Sequence, residues 1–409
     1  MTQVSDTVPP ATRRSILLLS FAIFSSMCAQ RICDAMLPEL SRVFSVSLGE
    51  AAQVVSVFAI TYGAAQLFYG PIGDRLGKYR IVTLATFACS VGSVVAALAA
   101  SLNMLVVARL LMAAAAAGLI PLAMAWVGDS VPTARLQEML TRTGLGSTLG
   151  LVAGQLIGGL VTDTLGWRWC FVFLAGLFTV VGMLLYADLR RQGLKLFTSP
   201  MAATAAKPVV HVHFIKQVLI IVSASWARTL LTMAVVEGAV GFGVLAIWAS
   251  HLHNRLNLSL TLAGAIVALF GLGGMLFMAI GPNLIRRFDQ PLLVTAGGTI
   301  VGMSACVLAL TPHWLPSIPA SFLAGFGFFM FHNTLQVSVT DMAPQSRGTA
   351  VAMFSSFLFL GQSVGVVLAA ALTGSIGSST VIAGGGVMMT FVGFVFAWAL
   401  RHRKQKAIP

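Results

Sequence analysis

Residues 15–37 read SILLLSFAIFSSMCAQRICDAML, an apolar run that meets no charge until Arg31 and Asp34. A helix needs ~20 such residues to cross the hydrocarbon of a bilayer, and this run is the first of a series. By hydropathy the next spans fall near 50–71, 81–100, 103–126, 143–163 and 168–188. After a polar stretch come 227–250, 259–283, 291–311, 316–339, 348–372 and 380–400. Over all 409 residues, 57% are hydrophobic and 9% charged, against roughly 25% charged in an average soluble domain. A soluble fold of this length could not cover its surface with so few charges, whereas lipid removes that need. The sequence therefore predicts an all-α integral membrane protein of twelve transmembrane helices.

The net charge of +13 does not point to nucleic acid, because the basic residues sit in short segments between spans rather than along one face or tail. With the N-terminus inside, twenty of the 25 Lys and Arg fall on inner segments and only Arg42, Arg168 and Arg255 on outer ones. Cytoplasmic loops concentrate Lys and Arg, so both termini are expected in the cytoplasm, in a bacterial-type inner (plasma) membrane. All five cysteines lie within apolar runs and imply no disulfide framework. Arg13 and Arg14 precede the first span without a small-residue cleavage site, so that span reads as retained rather than as a signal peptide.

The two halves of the chain resemble each other. Gly63, Gly70 and Pro71 on span 2 recur 211 residues later as Gly274, Gly281 and Pro282 on span 8. On span 5, Gly154, Gln155 and Gly158 recur 207 residues later on span 11 as Gly361, Gln362 and Gly365. A duplicated six-helix unit, common among transporters, gives two pseudo-symmetric bundles. The expected divisions are a tail at 1–14, an N-terminal bundle at 15–188, a cytoplasmic linker at 189–226, a C-terminal bundle at 227–400 and a tail at 401–409. The linker holds Pro200, Ala-rich residues 202–206 and Pro208, and residues 213–222 suit a short helix at the membrane surface.

Between spans 2 and 3 the chain reads Gly70-Pro71-Ile72-Gly73-Asp74-Arg75-Leu76-Gly77-Lys78-Tyr79-Arg80. This resembles the cytoplasmic signature of the major facilitator superfamily, Gly-x-Leu-Ala-Asp-Arg-x-Gly-Arg-Arg, with Tyr79 in place of a basic residue. The resemblance covers the whole chain and implies the major facilitator fold. Gly70 and Gly73 allow close helix approach and Gly77 a tight turn. Asp74 suits the positive end of a neighbouring helix, which the family places at the start of span 11, here near Arg347, Gly348 and Thr349. Arg75 and Arg80 are expected to pair with Asp129 at the inner end of span 4, locking an inner gate. The plainer alternative makes these cations mere topology signals. Span 5 carries Gly146, Gly150, Gly154, Gly158 and Gly159. It resembles the antiporter signature Gly-x-x-x-Gly-Pro-x-x-Gly-Gly with Gln155 replacing the proline, although such glycines also serve ordinary helix packing. Trp167-Arg168-Trp169-Cys170-Phe171 is similar to the drug–proton antiporter branch. Arg109 stands where the family often has a membrane-embedded arginine, with Met112 and Ala113 replacing the Gln and Gly that usually follow.

Ionisable residues inside a membrane are costly and mark function by default. Arg31 and Asp34, three apart on span 1, share a face, and Arg109 on span 4 reaches a similar depth. We expect these three to cluster, with Asp34 as a proton carrier whose charge depends on burial and on nearby arginines. A static salt bridge is the alternative. Arg31 is then its counter-ion or the partner of an anionic substrate. Glu237, about mid-span in span 7 beside Gly238 and Gly241, is either held neutral by a hydrogen bond or exchanges a proton. His332, Asn333 and Gln336 on span 10, with Gln155 and Gln362, are candidate substrate contacts. Their competing role is to hydrogen-bond neighbouring helices. The pairs His211/His213 and His251/His253 lack Cys or carboxylate partners, so no metal is expected. No phosphate-binding Gly-rich Lys-Ser/Thr loop is present, and no nucleophile–base constellation marks an enzyme. The reading is a secondary transporter without a cofactor, driven by the proton gradient, that exports a small molecule. It is expected to work as a monomer whose partners are substrate, protons and the lipid bilayer. An uptake or facilitative permease is one alternative, favoured by the missing proline. A non-transporting membrane receptor or assembly partner is another.

Overall fold

The protein is described from a computed structural model, which covers residues 8–193, 196, 214–343 and 347–406. Every regular element among them is helical. Span 1 comprises Pro10–Arg31 and, after a turn, Leu37–Phe44. Spans 2 to 6 are Leu48–Leu76, Lys78–Ala97, Leu102–Ser130, Thr133–Thr164 and Trp167–Arg191. A short helix, Phe214–Ser223, precedes the second half. Spans 7 to 9 are Ser225–Leu256, Leu260–Arg287 and Gln290–Leu310. Spans 10 to 12 are Ser317–Thr340, Arg347–Ile376 and Ser378–Lys406. Pro200, residues 202–206, Pro208 and the His211/His213 pair of the linker lie outside the described residues.

Ten of these helices are long and apolar enough to cross a membrane by their own composition. The other two are spans 1 and 10. Arg13, Arg14, Gln30 and Arg31 dilute the first, and His332 and Asn333 the second. Span 5 starts ten residues earlier than hydropathy suggests, because Arg135–Glu138 (3.0 Å) and Glu138–Arg142 (2.8 Å) pairs hold a polar first segment helical. Such i,i+3 and i,i+4 pairs support a helix that hydropathy reads as loop.

The duplication is visible in the backbone. Among the described residues two non-glycines have positive φ, Ser45 and Asn257, both at 52°, and they end the second pieces of spans 1 and 7. Gly166 and Gly377 repeat a positive φ before spans 6 and 12. Ser47 and Ser259 cap the helices that open spans 2 and 8. Both halves also interrupt their first helix. In span 1 the turn at 32–36 precedes Pro38, whose missing N–H and bulky ring forbid a continuous helix through Asp34. In span 7 a π segment, Gly238–Gly243, follows Glu237.

The halves meet along two seams, spans 2 and 11 and spans 5 and 8. Starting from the face opposite the termini, Gly49 lies against Ala371, Ser56 Oγ is 3.3 Å from Ser363 Oγ, and Ser356 Oγ donates to Gly63 O at 2.7 Å. On the other seam Gly159 meets Leu260, Gly264 meets Gln155, Gly271 meets Val152, and Thr148 Oγ1 is 3.5 Å from Met278 Sδ. One turn beyond Gly63 on span 2, Leu67 still packs against the cluster of Ile221, Ala227, Leu231 and Met353 of the other half. Nearer the terminal face a Cβ on Gly70, Gly128 or Gly348 would touch nothing within 4 Å. The bundles are zipped at one face and splayed at the other, so Gly70, expected to mediate close approach, faces open space in this conformation.

Candidate functional site

Span 5 lies on span 1 through its glycine ridge. A Cβ on Gly154 would come within 2.7 Å of Cys28 O, and one on Gly158 would run into Ile32 O. That close approach brings Gln155 to the broken end of span 1, where its Nε2 donates to Asp34 Oδ2 at 2.9 Å. Arg31 Nη1 lies 3.4 Å from the same oxygen. All three side chains are buried, and Asp34 Oδ1, Gln155 Oε1 and Arg31 Nε and Nη2 have no partner. A buried ion pair needs its remaining lone pairs and protons satisfied, so these free atoms mark a polar centre ready to be completed by a ligand or a proton.

Arg109 makes no hydrogen bond to this centre, but its charge acts on Asp34 across the span 1–span 4 contact. Its Nε donates to Val54 O (3.1 Å), its Nη1 to Ala29 O (2.7 Å), and its guanidinium lies 4.0 Å from the Phe58 ring centroid. Two backbone carbonyls therefore take the arginine and tie span 4 to spans 1 and 2. The hydrogen bonds to Asp34 come from Arg31 and Gln155.

The second centre is built on span 7. Gly238, Gly243 and Gly361 permit near-contact of spans 7 and 11: a Cβ on Gly238 would strike Leu358 O, and one on Gly243 would come within 2.8 Å of Gly365. The π segment starts at this contact, and such single-turn insertions recur at functional sites. Just before it, buried Glu237 receives His332 Nδ1 of span 10 at 2.9 Å on Oε1, while Oε2 has no partner. The His332 side chain is 18% exposed and Glu237 wholly buried. Glu237 and His332, read separately as proton carrier and substrate contact, are one pair. Asn333 is half-buried, Gln336 exposed, and Gln362 buried beside Gly238 with Oε1 unpartnered. None of the three bonds to the pair.

The π segment also carries Phe242, which joins the two centres. The Arg31 guanidinium lies 4.3 Å from the Phe242 ring centroid, although one is in each half. Phe242 sits 4.6 Å from Phe328, and Phe328 stacks on His332 at 5.8 Å and 11°. The path runs Gln155, Asp34, Arg31, Phe242, Phe328, His332, Glu237. Sequence reading missed both phenylalanines, since nothing local separates them from 24 other Phe. The 211-residue offset is the signal that was available, because it maps Arg31 onto Phe242.

At the 2–3 loop, Gly73 packs on Leu122 and Gly77 turns the chain at φ 93°. A cavity of about 430 Å³ opens among residues 73–80, Trp126, Asp129 and Ser130. Asp129 is held by Lys78 at 2.5 Å, a pair that the sequence reading did not name, and Lys78 also reaches Asp74 at 3.3 Å. Lys78 opens span 3 and its shorter side chain already points between the two acids; Arg75 has no ion pair among the described residues. Asp74 is 68% exposed and paired within its own loop rather than docked on span 11. Tyr79, the departure from the family signature, donates to Asp188 Oδ2 at 2.8 Å. Asp188 also accepts from Arg14 Nε (2.6 Å), Ser15 Oγ (2.7 Å) and Gln192 Nε2 (2.8 Å), joining spans 1, 3 and 6. The remaining histidine pair is engaged otherwise: His251 Nδ1 is 2.8 Å from Ser378 Oγ, and His253 Nδ1 2.6 Å from Leu258 O.

A duplicated helical bundle that is zipped at one face, with buried charges at the helix breaks, defines a membrane transporter rather than an enzyme. The family model described as Major Facilitator Superfamily matches residues 19–366, and the chain belongs to that superfamily. Among its relatives is MdtD of Escherichia coli, to which a multidrug-resistance role is provisionally assigned. It is 22% identical over 445 aligned positions, covering 96% of this chain and 92% of that protein. The riboflavin transporter RibZ of Clostridioides difficile is 24% identical over 157 residues, 38% of this chain and 34% of its own. In fold the chain is similar to a crystal structure of the nucleoside transporter NupG, with a TM-score of 0.76, 13% identity, and coverage of 93% of this chain and 99% of that one.

Proposed function

We propose that this transporter is a proton-driven exporter of a small molecule working by alternating access. What carries the reading is the path from Asp34 to Glu237. It places two buried carboxylates, each with a basic partner and one unpartnered oxygen, at the breaks of spans 1 and 7. Separating the halves on the zipped side would part Arg31 from Phe242 and admit water, so each carboxylate's hold on a proton would change with conformation. The excess of Lys and Arg on the terminal face makes that face cytoplasmic, with both termini inside and the membrane a bacterial inner membrane. The splayed conformation is then inward-facing. His332, Asn333, Gln336, Gln155 and Gln362 remain the proposed substrate contacts, and Gly70, Gly73, Asp74, Arg75, Gly77, Arg80 and Asp129 the inner gate, with Lys78 now at its centre. The boundaries at 14, 188, 226 and 400 divide tails, bundles and linker.

One proton crossing 100 mV supplies ~2.3 kcal/mol and one pH unit about 1.4 kcal/mol, enough for a concentration ratio of several hundred. Proteoliposomes with an imposed proton gradient should accumulate substrate, and an ionophore should erase that accumulation. Accumulation untouched by the ionophore rejects proton coupling. Uptake is the second reading. It is favoured by Gln155, which stands where the antiporter signature has proline and donates to Asp34. Transport measured in right-side-out and everted vesicles separates the two directions.

A further inference from the structure

We infer that Asp163 is a latch that holds the zipped face shut by capping a helix of the opposite half. Asp163 is the penultimate residue of span 5, and its Oδ2 accepts two hydrogen bonds from Thr261, at 2.6 Å from the backbone N–H and 2.7 Å from Oγ1. Thr261 is the second residue of span 8, whose first-turn N–H groups have no partner within their own helix. Ser259 Oγ, from the same chain segment, caps Leu262 N at 3.1 Å. Asp163 takes the neighbouring donor, and it comes from the other bundle. Directly beneath, a Cβ on Gly159 would collide with Leu260 O, and one on Gly264 would lie 2.5 Å from Gln155 O. The backbones of spans 5 and 8 therefore touch along the approach to the cap.

The terminal face carries the complementary arrangement, now released. Asp74 ends a span of the N-terminal half as Asp163 does, and the start of span 11 is the matching helix terminus. Yet Asp74 is 68% exposed and bonded to its own loop, and Gly348 has open space around it. Among the described residues, Asp163 is engaged across the halves and Asp74 is not. Because Asp163 is exposed, both it and Thr261 can be rehydrated when the seam opens. The bond then biases the equilibrium without locking it. Loss of a side-chain cap shifts an equilibrium by about twofold to thirtyfold, a range that a transport cycle can reverse at every turn.

The latch rests on the alternating-access reading, and the test separates the two. Spin labels at Val43→Cys and Leu310→Cys, exposed apolar sites in opposite halves beside the zipped face, report its opening in nanodiscs, in a Cys306→Ser background. The wild type should show two distances, with the shorter one dominant. Asp163→Ala should raise the long-to-short ratio about threefold to tenfold. Thr261→Pro removes the N–H yet is tolerated in a first helical turn, so it should give the same shift. The double variant should go no further than either single one. A ratio unchanged by Asp163→Ala and Thr261→Pro, while it still responds to pH or to Asp74→Ala, overturns the latch and leaves alternating access standing. One fixed distance in every variant and at every pH overturns alternating access, and the latch with it.

Discussion

The two buried ion pairs differ in how they are built. Arg31 and Asp34 lie three residues apart on one span, and their contact is the longer at 3.4 Å. Glu237 and His332 come from different spans, 95 residues apart, and meet at 2.9 Å. The chemistry differs too. Arginine does not give up its proton in proteins, so the first pair can change charge only at Asp34. Imidazole is the side chain whose ordinary charge change falls near neutral pH, so in the second pair either member can carry the proton. The first pair thus resembles a fixed counter-charge with one variable partner, and the second a proton relay partly open to water. On the proposed mechanism, proton exchange would fall chiefly to Glu237 and His332, and cross-half sensing chiefly to Arg31 over Phe242.

The largest effect should come from Glu237→Gln. Glutamine still accepts the hydrogen bond from His332, so the fold survives while the exchangeable carboxyl is lost. Gradient-driven accumulation in proteoliposomes should fall from several hundredfold to background, and exchange of labelled for unlabelled substrate should persist. Retention of full accumulation would reverse the ranking of the pairs. The pH profile sharpens the point. His332→Gln should flatten the rate between about pH 5 and 8, the range in which imidazole normally titrates. Arg31→Lys should keep the profile's shape and lower its height. A profile flattened by Arg31→Lys and untouched by His332→Gln would place the proton at Asp34 instead.

The next effect concerns the segment that builds the second pair. A Cβ on Gly238 would strike Leu358 O, so Gly238→Ala must push spans 7 and 11 apart. Overpacking of this kind costs about 1–3 kcal/mol. The variant should unfold several degrees lower in a thermal scan in detergent and lose gradient drive in step. Gly154→Ala would come within 2.7 Å of Cys28 O and should do the same for the first pair. Equal destabilisation without loss of coupling would show that the glycines serve packing alone.

These contrasts follow what local sequence can and cannot encode. The apolar lengths located twelve helical stretches, ten of them long and apolar enough to cross a membrane by their own composition, because lipid imposes a minimum length on each helix whatever it packs against. Arg31 and Asp34 were legible as a pair because three residues of helix put them on one face. The Glu237–His332 pair was not, since only tertiary packing joins spans 7 and 10. The helix breaks at Pro38 and at Gly238–Gly243 went unread, because a hydropathy window averages across them. Arg109 was legible as a buried cation beside span 1, but a sequence does not name the backbone carbonyls, Val54 O and Ala29 O, that receive its hydrogen bonds. At the 2–3 loop the motif located the charged cluster, while Lys78 as partner of Asp129 depended on which side chain the turn at Gly77 presents.

Phe242→Leu should act more weakly than either carboxylate change. It removes the stacking of Arg31 on the ring, worth about 0.5–2 kcal/mol, together with the ring's contact with Phe328, and keeps most of the apolar volume and both ion pairs. The gradient sensitivity of transport should fall about fivefold, with no change in the shape of the pH profile. A loss as deep as that of Glu237→Gln would mean that the two pairs act as one unit, and that their separate roles are an artefact of describing them separately.

The smallest effect belongs to Asp129→Asn at the splayed face. Its carboxylate is 63% exposed and its partner Lys78 keeps Asp74 at 3.3 Å. An exposed ion pair is worth about 0–1 kcal/mol, so transport should change by less than about fivefold. Salt tells this pair from the buried ones, because charges in water are screened within ~10 Å at 0.1 M and ~3 Å at 1 M. Raising salt over that range should reproduce the Asp129→Asn effect in the wild type and add nothing in the variant. The Glu237-dependent part of transport should not respond, since no ions reach a wholly buried carboxylate. If salt instead removes gradient drive, the decisive charges are solvated ones, and the distinction between a buried relay and a surface gate fails.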